Sequence, residues 1–376
     1  MAGIPDLVAR WEALERPLRR LPRWGAALLL VLALAACLWS VPAVERYGAF
    51  SQVANDQRLD AGARRDFDLY ESIDRRIAAG EGYYAAALDE HRTSRFPTKP
   101  FVTVRPPTLA WSSLVLGLDG WRFVALGLWL ATILGLYAKL AGRVSLPERI
   151  GVALCAAAAG AVAGIDKVGL SHEIVAGLFV SAALALYRRE RWWPALILAA
   201  CALAIREMAL PFVLLWAAFA ASERRWREFA AVAAVLLLFA VGMALHARGV
   251  IAHQLPGDMV SPGWTGLQGP ALPLFGIVTV TLLQTLPAWI GAPLGVLPLL
   301  GWLALGGRFG LFATLWFAGY ALAVALFARQ ENFYWMALLI PAYGAGLALA
   351  PRALADLVTA LRARPPRAAA PGSPPG

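Results

Sequence analysis

Asp66 is the residue of this sequence whose type and position are best suited to chemistry. On a helical wheel at about 100° per residue, a helix over 66–77 places Asp66 at the centre of an apolar stripe. That stripe comprises Leu69, Tyr70, Ile73 and Ile77, and the opposite, solvated face comprises Asp68, Glu71, Ser72 and Arg75. A carboxylate at the boundary between water and membrane can act as a general base on a hydroxyl group, because partial burial raises its pKa toward the working pH. The alternative role of Asp66 is to cap the N-terminus of this helix.

The segment around Asp66 is a charged island in an apolar chain. Residues 44–106 hold ten of the 24 acids and ten of the 34 Lys/Arg residues, although 60% of the chain is hydrophobic. The preceding apolar run, residues 25–44, has the length of about 20 residues that crosses roughly 30 Å of hydrocarbon. We therefore predict that a first membrane span delivers residues 44–106 to the outer face as a first outer loop with amphipathic helices.

The net charge of +10 separates by side. The segments 1–24, 139–149, 188–191, 222–228, 306–308 and 351–376 collect 19 Lys/Arg and eight acids, which leaves 15 Lys/Arg and 16 acids for the rest of the chain. This is the positive-inside bias of a membrane protein, so the charge requires no nucleic-acid partner. We predict a multi-pass protein of a bacterial-type cytoplasmic membrane, surrounded by membrane lipids, with both termini cytoplasmic and its site on the outer face.

The hydropathy pattern predicts an all-α polytopic protein with about ten transmembrane helices. Residues 1–24 form a basic cytoplasmic N-terminus, residues 25–350 the transmembrane domain, and residues 351–376 a basic, disordered cytoplasmic tail. Single spans are predicted at 121–139, 149–165, 171–187, 229–245, 309–327 and 336–350. Residues 192–221 are too short for two full spans, so we predict two short helices that meet near Arg206 and Glu207. Residues 271–305 are predicted to form an outer-leaflet segment followed by a span.

Several short motifs resemble one family of membrane enzymes. "DFDLY" (66–70) followed by "AAGEGYY" (78–84) resembles the first outer-loop element of GT-C integral-membrane glycosyltransferases, in particular glycosyltransferase family 87, the polyprenol-phosphate-mannose-dependent mannosyltransferases. "VRPPTLAW" (104–111), the stretch 171–207 and "ENFYW" (331–335) are similar to later parts of that family.

The resemblance implies a GT-C-like bundle and an inverting hexosyl transfer from a polyprenyl-phosphate sugar to a lipid or glycan acceptor. It matches the family's catalytic base to Asp66, with Asp68 as the fallback.

Cations are expected near the leaving phosphate, because a phosphate dianion forms there in a poorly hydrated cleft. The candidates are Arg206 and Arg329 first, then Lys99, Arg105, Lys167 and His172. Their alternatives are ion pairs for Arg206 with Glu207 and Arg329 with Glu331, lipid headgroup contacts for Lys99, Arg105 and Lys167, and helix capping for His172. Candidate sugar or lipid contacts are Tyr70, Tyr84, Glu207, Asn332, Tyr334 and Trp335.

The sequence indicates no cofactor or metal site. His172 and Glu173 could join Asp66 around a divalent cation, but neighbouring residues on a helix point about 100° apart and form a poor chelate. Two other classes remain open, namely a transporter or flippase for a lipid-linked saccharide and a non-catalytic scaffold. A transporter of the inverted-repeat type predicts internal symmetry and charges near the midplane, whereas the polar residues here concentrate between the first two spans.

Overall fold

The computed structural model describes residues 10–60, 66–164, 171–264 and 266–363, and the regular structure of these residues is helical. Five segments are long and apolar enough to cross a membrane, namely Arg23–Val53, Phe101–Lys139, Trp226–Ala252, Gly307–Phe327 and Ala342–Arg362. Four shorter apolar helices accompany them. The prediction of an all-α polytopic chain is therefore confirmed at this level, whereas the count of ten spans and the GT-C-like arrangement stay predictions.

The α-helices of the described residues are α1 (Arg23–Asp60), α2 (Asp66–Ala78), α3 (Tyr83–Thr93), α4 (Thr108–Lys139), α5 (Leu146–Ala159), α6 (His172–Leu186), α7 (Trp193–Ile205), α8 (Leu210–Ser222), α9 (Trp226–Ala252), α10 (Ala271–Thr279), α11 (Ala288–Ala304), α12 (Gly307–Phe327), α13 (Ala342–Ala345) and α14 (Ala350–Arg362). Short 3-10 helices cover Pro17–Arg20, Phe101–Thr103, Ala161–Gly164, Glu207–Ala209, Leu282–Thr285, Gln330–Leu339 and Gly346–Leu349.

Helix α6 is the core of the bundle. Its side chains are apolar on every face and almost all are buried, which is the pattern of a helix surrounded by protein. It packs against α4, α7 and the 3-10 helix Gln330–Leu339. Its two polar residues of the first turn, His172 and Glu173, are buried with it and so must find partners inside the protein.

The helix is interrupted between α7 and α8, as the sequence predicts. Arg206 has extended backbone angles (φ −144°, ψ 114°), and Pro211 occupies the first turn of α8, where its missing N–H is tolerated. Two helices of 13 residues each result, with Arg206 and Glu207 at the point where they meet. The break therefore holds these two charges inside the bundle.

Helices α2 and α3 form a hairpin in the predicted first outer loop. The α2 stripe residues Leu69, Ile73 and Ile77 are buried against α3 and α4, while Asp68 on the other face is exposed. The predicted amphipathic helix is thus confirmed, and its apolar stripe packs on protein. Arg76 fixes the turn between the two helices through Glu81 at 2.6 Å, Asp89 at 2.6 Å and Glu90 at 3.1 Å.

Two helices that flank the predicted first outer loop are longer than predicted. Helix α1 continues from the apolar run to Asp60, and α4 begins at Thr108, thirteen residues before the predicted start of its span. Gly117 interrupts α4 with φ 65° and ψ 178°, a conformation that favours glycine. The predicted span omits the first part of α4, because the charged residues Asp119 and Arg122 interrupt the apolar run in the sequence.

The C-terminal region also differs from the prediction. Pro341 lacks a backbone N–H, so the expected span 336–350 is divided between the 3-10 helix Gln330–Leu339 and α13. The first part of the tail predicted to be disordered over 351–376 is instead helical in α14, because Ala353, Leu357 and Ala360 bury an apolar stripe. Residues 364–376 lie outside the described residues. Arg16 donates to the buried Asp356 at 3.0 Å and so ties α14 to the N-terminal segment.

The loop 253–264 packs against the start of the stretch 96–107. Thr98 and Lys99 donate backbone N–H groups to Met259 O at 3.1 and 3.3 Å, and Ser261 N–H donates to Lys99 O at 2.6 Å. Arg92 binds the buried Asp258 carboxylate at 2.7 Å. This ion pair holds the pKa of Asp258 well below its usual range.

Asp258→Asn is therefore expected to loosen this loop. Because the folded-state pKa is depressed, the stabilisation is present above the ordinary aspartate pKa of about 4 and is lost as the pH falls below it. At pH 7 we expect backbone amides of 253–264 to exchange with solvent about fivefold faster than in the wild type, as judged by hydrogen–deuterium exchange mass spectrometry. Asp68→Asn, at an exposed position, should leave the exchange of these amides unchanged. Equal exchange rates in the wild type and in Asp258→Asn would contradict a role for the ion pair between Arg92 and Asp258.

Candidate functional site

Four charged side chains meet at the N-terminal end of α6. Arg206, with 1% of its side chain exposed, donates from Nε to Glu173 Oε1 at 2.8 Å and from Nη1 to the adjacent Glu207. Arg105 donates from Nη2 to the same Glu173 oxygen at 3.2 Å. These four residues, Arg105, Glu173, Arg206 and Glu207, are named the arginine cluster below. Two guanidinium groups balance two carboxylates, which offsets part of the cost of burying each charge.

A different element positions each part of the arginine cluster. Arg105 lies in the non-helical stretch that precedes α4, and Glu173 lies in the first turn of α6, where the helix dipole stabilises a carboxylate. Tyr334, from the 3-10 helix Gln330–Leu339, places its hydroxyl group 3.4 Å from Arg105 Nη2. The fold therefore gathers polar groups that are more than 200 residues apart in the chain.

Two atoms of the arginine cluster have unused hydrogen-bonding capacity. Arg105 Nε and Glu207 Oε2 are buried and have no hydrogen-bond partner among the described residues. Buried polar atoms are nearly always paired with protein, water or a ligand. The cluster can therefore accept a further polar group, and the vacant donor belongs to Arg105.

A pocket that is partly open to solvent lies beside the arginine cluster, and Asp74 is one of its lining residues. It is lined by Tyr70, Ile73, Asp74, Tyr83, Leu109, Ala110 and His172. Burial raises the pKa of Asp74 to about 7. Among the described residues no cation forms an ion pair with Asp74.

The pocket and the arginine cluster meet at a shared wall, which consists of Tyr83, Arg105, His172 and Glu173. His172, whose ring centroid lies 4.8 Å from that of Tyr70, lines the pocket, and the next residue, Glu173, belongs to the cluster. Tyr83 also lines the pocket and donates its hydroxyl to the backbone oxygen of Arg105 at 2.7 Å. A substrate bound across this shared wall would contact the Asp74 carboxylate on one side and the guanidinium groups of the arginine cluster on the other.

Asp74 is the site residue that sequence reasoning missed. On the wheel it lies about 80° from Asp66 and about 40° from Tyr70, at the edge of the apolar stripe. A carboxylate at that edge is compatible with either solvent or protein, and only the packing of α2 against α4 and His172 determines which.

Helix α2 begins at Asp66 as predicted, but the Asp66 side chain lies outside the described part of the structure. Asp68 is exposed.

The structure brings six of the predicted site residues together around the shared wall, namely Tyr70, Arg105, His172, Arg206, Glu207 and Tyr334. The ion pairs proposed as the alternatives to phosphate binding are both present, Arg206 with Glu207 and Arg329 with Glu331 at 3.2 Å.

Other predicted residues have contacts elsewhere. Lys99 Nζ donates to Leu255 O at 2.9 Å, so it fastens the loop 253–264. The Tyr84 hydroxyl lies 3.4 Å from His246 Nδ1. Asn332 Oδ1 accepts from the backbone N–H of Arg329 at 3.3 Å, and the ring centroids of Trp335 and Trp264 are 6.0 Å apart. Lys167 lies outside the described residues.

Comparison with family models, with curated proteins and with solved structures finds no match for this chain. In the described ranges no three His, Cys, Asp or Glu residues are grouped so that they could hold a metal ion. The fold and the site thus define an all-helical membrane protein with a carboxylate pocket beside a buried arginine cluster.

Asp74→Asn is expected to stabilise the folded protein. Because the folded-state pKa of Asp74 is raised, ionisation of this carboxylate costs stability as the pH rises from about 4 to about 7, and the cost is constant above that range. An uncharged amide removes the cost. Thermal unfolding in detergent should show a Tm higher by about 3 °C at pH 8 and little change at pH 4. A lower Tm at pH 8 would contradict burial of an unpaired carboxylate.

Proposed function

We propose that this protein transfers a hexosyl group, mannosyl or a related sugar, from a polyprenyl-phosphate donor to an acceptor hydroxyl group at the outer face of the membrane. The observation that carries the proposal is the shared wall between the Asp74 pocket and the arginine cluster, because glycosyl transfer from a lipid phosphate requires a proton acceptor and phosphate-binding cations at one site. The apolar helices around the site suit a donor held by a hydrocarbon chain.

In the proposed reaction, Asp74 accepts the proton of the acceptor hydroxyl group. At the same time the oxygen of that hydroxyl group bonds to the anomeric carbon of the sugar. The bond from that carbon to the phosphate oxygen breaks, and the electron pair leaves with polyprenyl phosphate. Attack opposite the leaving group inverts the anomeric configuration. A proton acceptor with a pKa near the working pH is suited to this role, and that of Asp74 is about 7.

Arg105 is the cation we assign to the leaving phosphate. Its Nε has no hydrogen-bond partner among the described residues, whereas Arg206 is held by two carboxylates. A guanidinium N–H forms a charge-assisted hydrogen bond with phosphate, and the Nε of Arg105 is the donor we assign to this contact. Arg206 then keeps Glu173 in place, and Asp66 remains the sequence-based alternative to Asp74 as base.

The test uses purified protein in proteoliposomes with polyprenyl-phosphate-[14C]mannose and a native membrane lipid extract as the source of acceptor. We expect protein-dependent release of polyprenyl phosphate, with the label recovered in a new product. The flippase alternative predicts that the labelled donor crosses the bilayer intact. Transbilayer movement of the donor without any release of polyprenyl phosphate would overturn the transferase proposal.

A further inference from the structure

A second cavity, partly open to solvent, lies at the other end of α6. Helix α6 has 15 residues and is therefore about 22 Å long, so this cavity is remote from the arginine cluster at the first turn. Its walls are mostly apolar and include Tyr187, Phe212, Trp216, Phe309 and Phe312. Arg308 is the charged residue in the lining. The cavity thus combines an apolar interior with a guanidinium group.

Arg308 is only partly satisfied by the protein. It pairs with Glu223 through Nε and lies over the ring of Tyr187, with Cζ 4.7 Å from the ring centroid. Its Nη2 is buried and has no hydrogen-bond partner in the described ranges. A vacant guanidinium donor beside a cavity indicates a place for an anionic group.

Positive charge accumulates around this cavity. Lys139 lies 4.9 Å from the ring centroid of Phe309, donates to the Tyr187 carbonyl and forms no ion pair with any described acid. The positive groups that interact electrostatically with Lys139 or with the neighbouring Glu12 are Arg143, Arg188, Arg189 and Arg308. These five cations outnumber the two carboxylates, Glu12 and Glu223, that interact with the same groups.

The nearby charged residues Arg225 and Glu228 do not alter this balance. They pair with each other at 2.7 Å, and Glu228 also accepts from Trp216 Nε1 at 2.5 Å. The cations that interact with Lys139 and Arg308 therefore still outnumber the acids, and close like charges repel unless an anion binds.

We propose that this cavity binds an anionic phospholipid of the inner leaflet, with the phosphate headgroup between Lys139 and Arg308 and the start of an acyl chain among the aromatic rings. The apolar lining favours a lipid over free phosphate, because inorganic phosphate would gain nothing from these rings. The site also lies at the end of the bundle that carries the basic loops, and anionic lipids concentrate at a cytoplasmic leaflet.

The test titrates detergent-purified protein with palmitoyl-oleoyl phosphatidylglycerol, with the matched phosphatidylcholine and with sodium phosphate, and follows Tm. Phosphatidylglycerol is expected to raise Tm in a saturable manner. Phosphatidylcholine and sodium phosphate are expected to leave Tm unchanged. Lys139→Gln should weaken the apparent affinity for phosphatidylglycerol about tenfold, since a charge-assisted contact is lost. Arg227→Gln, which removes an exposed cation at the same end, is the matched control and should leave the affinity unchanged.

Lys139 is chosen for the test because its removal leaves no described carboxylate without a partner. Arg308→Gln serves as a second variant, read by native mass spectrometry of retained phosphatidylglycerol in case its Tm is lowered by the unpaired Glu223. Equal responses to phosphatidylglycerol and phosphatidylcholine, an equal response to phosphate alone, or wild-type affinity in Lys139→Gln would each overturn the proposal.

Discussion

Replacing Asp74 by asparagine is expected to lower the rate of glycosyl transfer at least about 100-fold, because the amide cannot accept the proton of the acceptor hydroxyl. The same substitution should raise Tm, as argued from the desolvated carboxylate. This combination separates a catalytic role from a structural one, since a residue needed for folding would lower both activity and stability. The rate is measured as release of polyprenyl phosphate under saturating donor, so that the loss appears in kcat.

The pH dependence provides an independent measurement on the same residue. Because Asp74 must be ionised to act as a base and burial raises its pKa to about 7, the wild-type rate should increase from pH 5 to pH 8 with a midpoint near 7. The residual rate of Asp74→Asn should not show this transition.

Helix α2 itself supplies the matched controls. Asp68→Asn changes an exposed carboxylate two turns away and should retain the wild-type rate. Asp66→Asn tests the base predicted from the sequence. Loss of transfer in Asp66→Asn together with a normal rate and normal pH profile in Asp74→Asn would assign the base to Asp66 and show the Asp74 assignment to be wrong.

The second large effect is expected at Arg206. Arg206→Met removes one of the two partners of the buried Glu173 and the partner of the partly buried Glu207, and breaking a buried ion pair on one side costs about 3–5 kcal/mol. We therefore expect a large decrease in Tm and in the yield of folded protein. Chemical denaturation in detergent, followed by tryptophan fluorescence, measures the change in unfolding free energy.

A double substitution distinguishes the charge balance from the shape of the site. Arg206→Met combined with Glu207→Leu leaves Arg105 paired with Glu173, so the cluster is again neutral. Apolar replacement of a complete buried pair is often neutral or stabilising, and we expect most of the lost stability to return. If the double variant is as unstable as Arg206→Met alone, the ion pair is not the source of the effect.

The same variants test which arginine binds phosphate. Arg105→Gln is expected to raise the KM for the polyprenyl-phosphate donor about tenfold, because a charge-assisted contact to phosphate is removed. The double variant keeps Arg105 and should change this KM by less than about threefold. A larger effect in the double variant than in Arg105→Gln would return the phosphate-binding role to Arg206, as the sequence ranking suggests.

The sequence by itself determined the elements of this protein that depend on local composition. Apolar runs of span length, the amphipathic stripe of α2 and the break at Arg206 follow from residues that are close in the chain, since hydropathy and proline act within one or two helical turns. The helical tail α14 was missed although Ala353, Leu357 and Ala360 have helical spacing, because the basic, Pro- and Ala-rich composition of residues 351–376 is typical of disorder.

The site, by contrast, was decided by tertiary structure. Residues 74, 105, 173, 206 and 334 become neighbours through the packing of α2, α4, α6 and the break after α7. Sequence alone suggested Arg105 and Arg206 as separate cations and did not distinguish Asp74 from its exposed neighbours. The physical reason is that desolvation and ion pairing depend on what surrounds a charge in three dimensions, and neither is encoded in the helical position of a single residue.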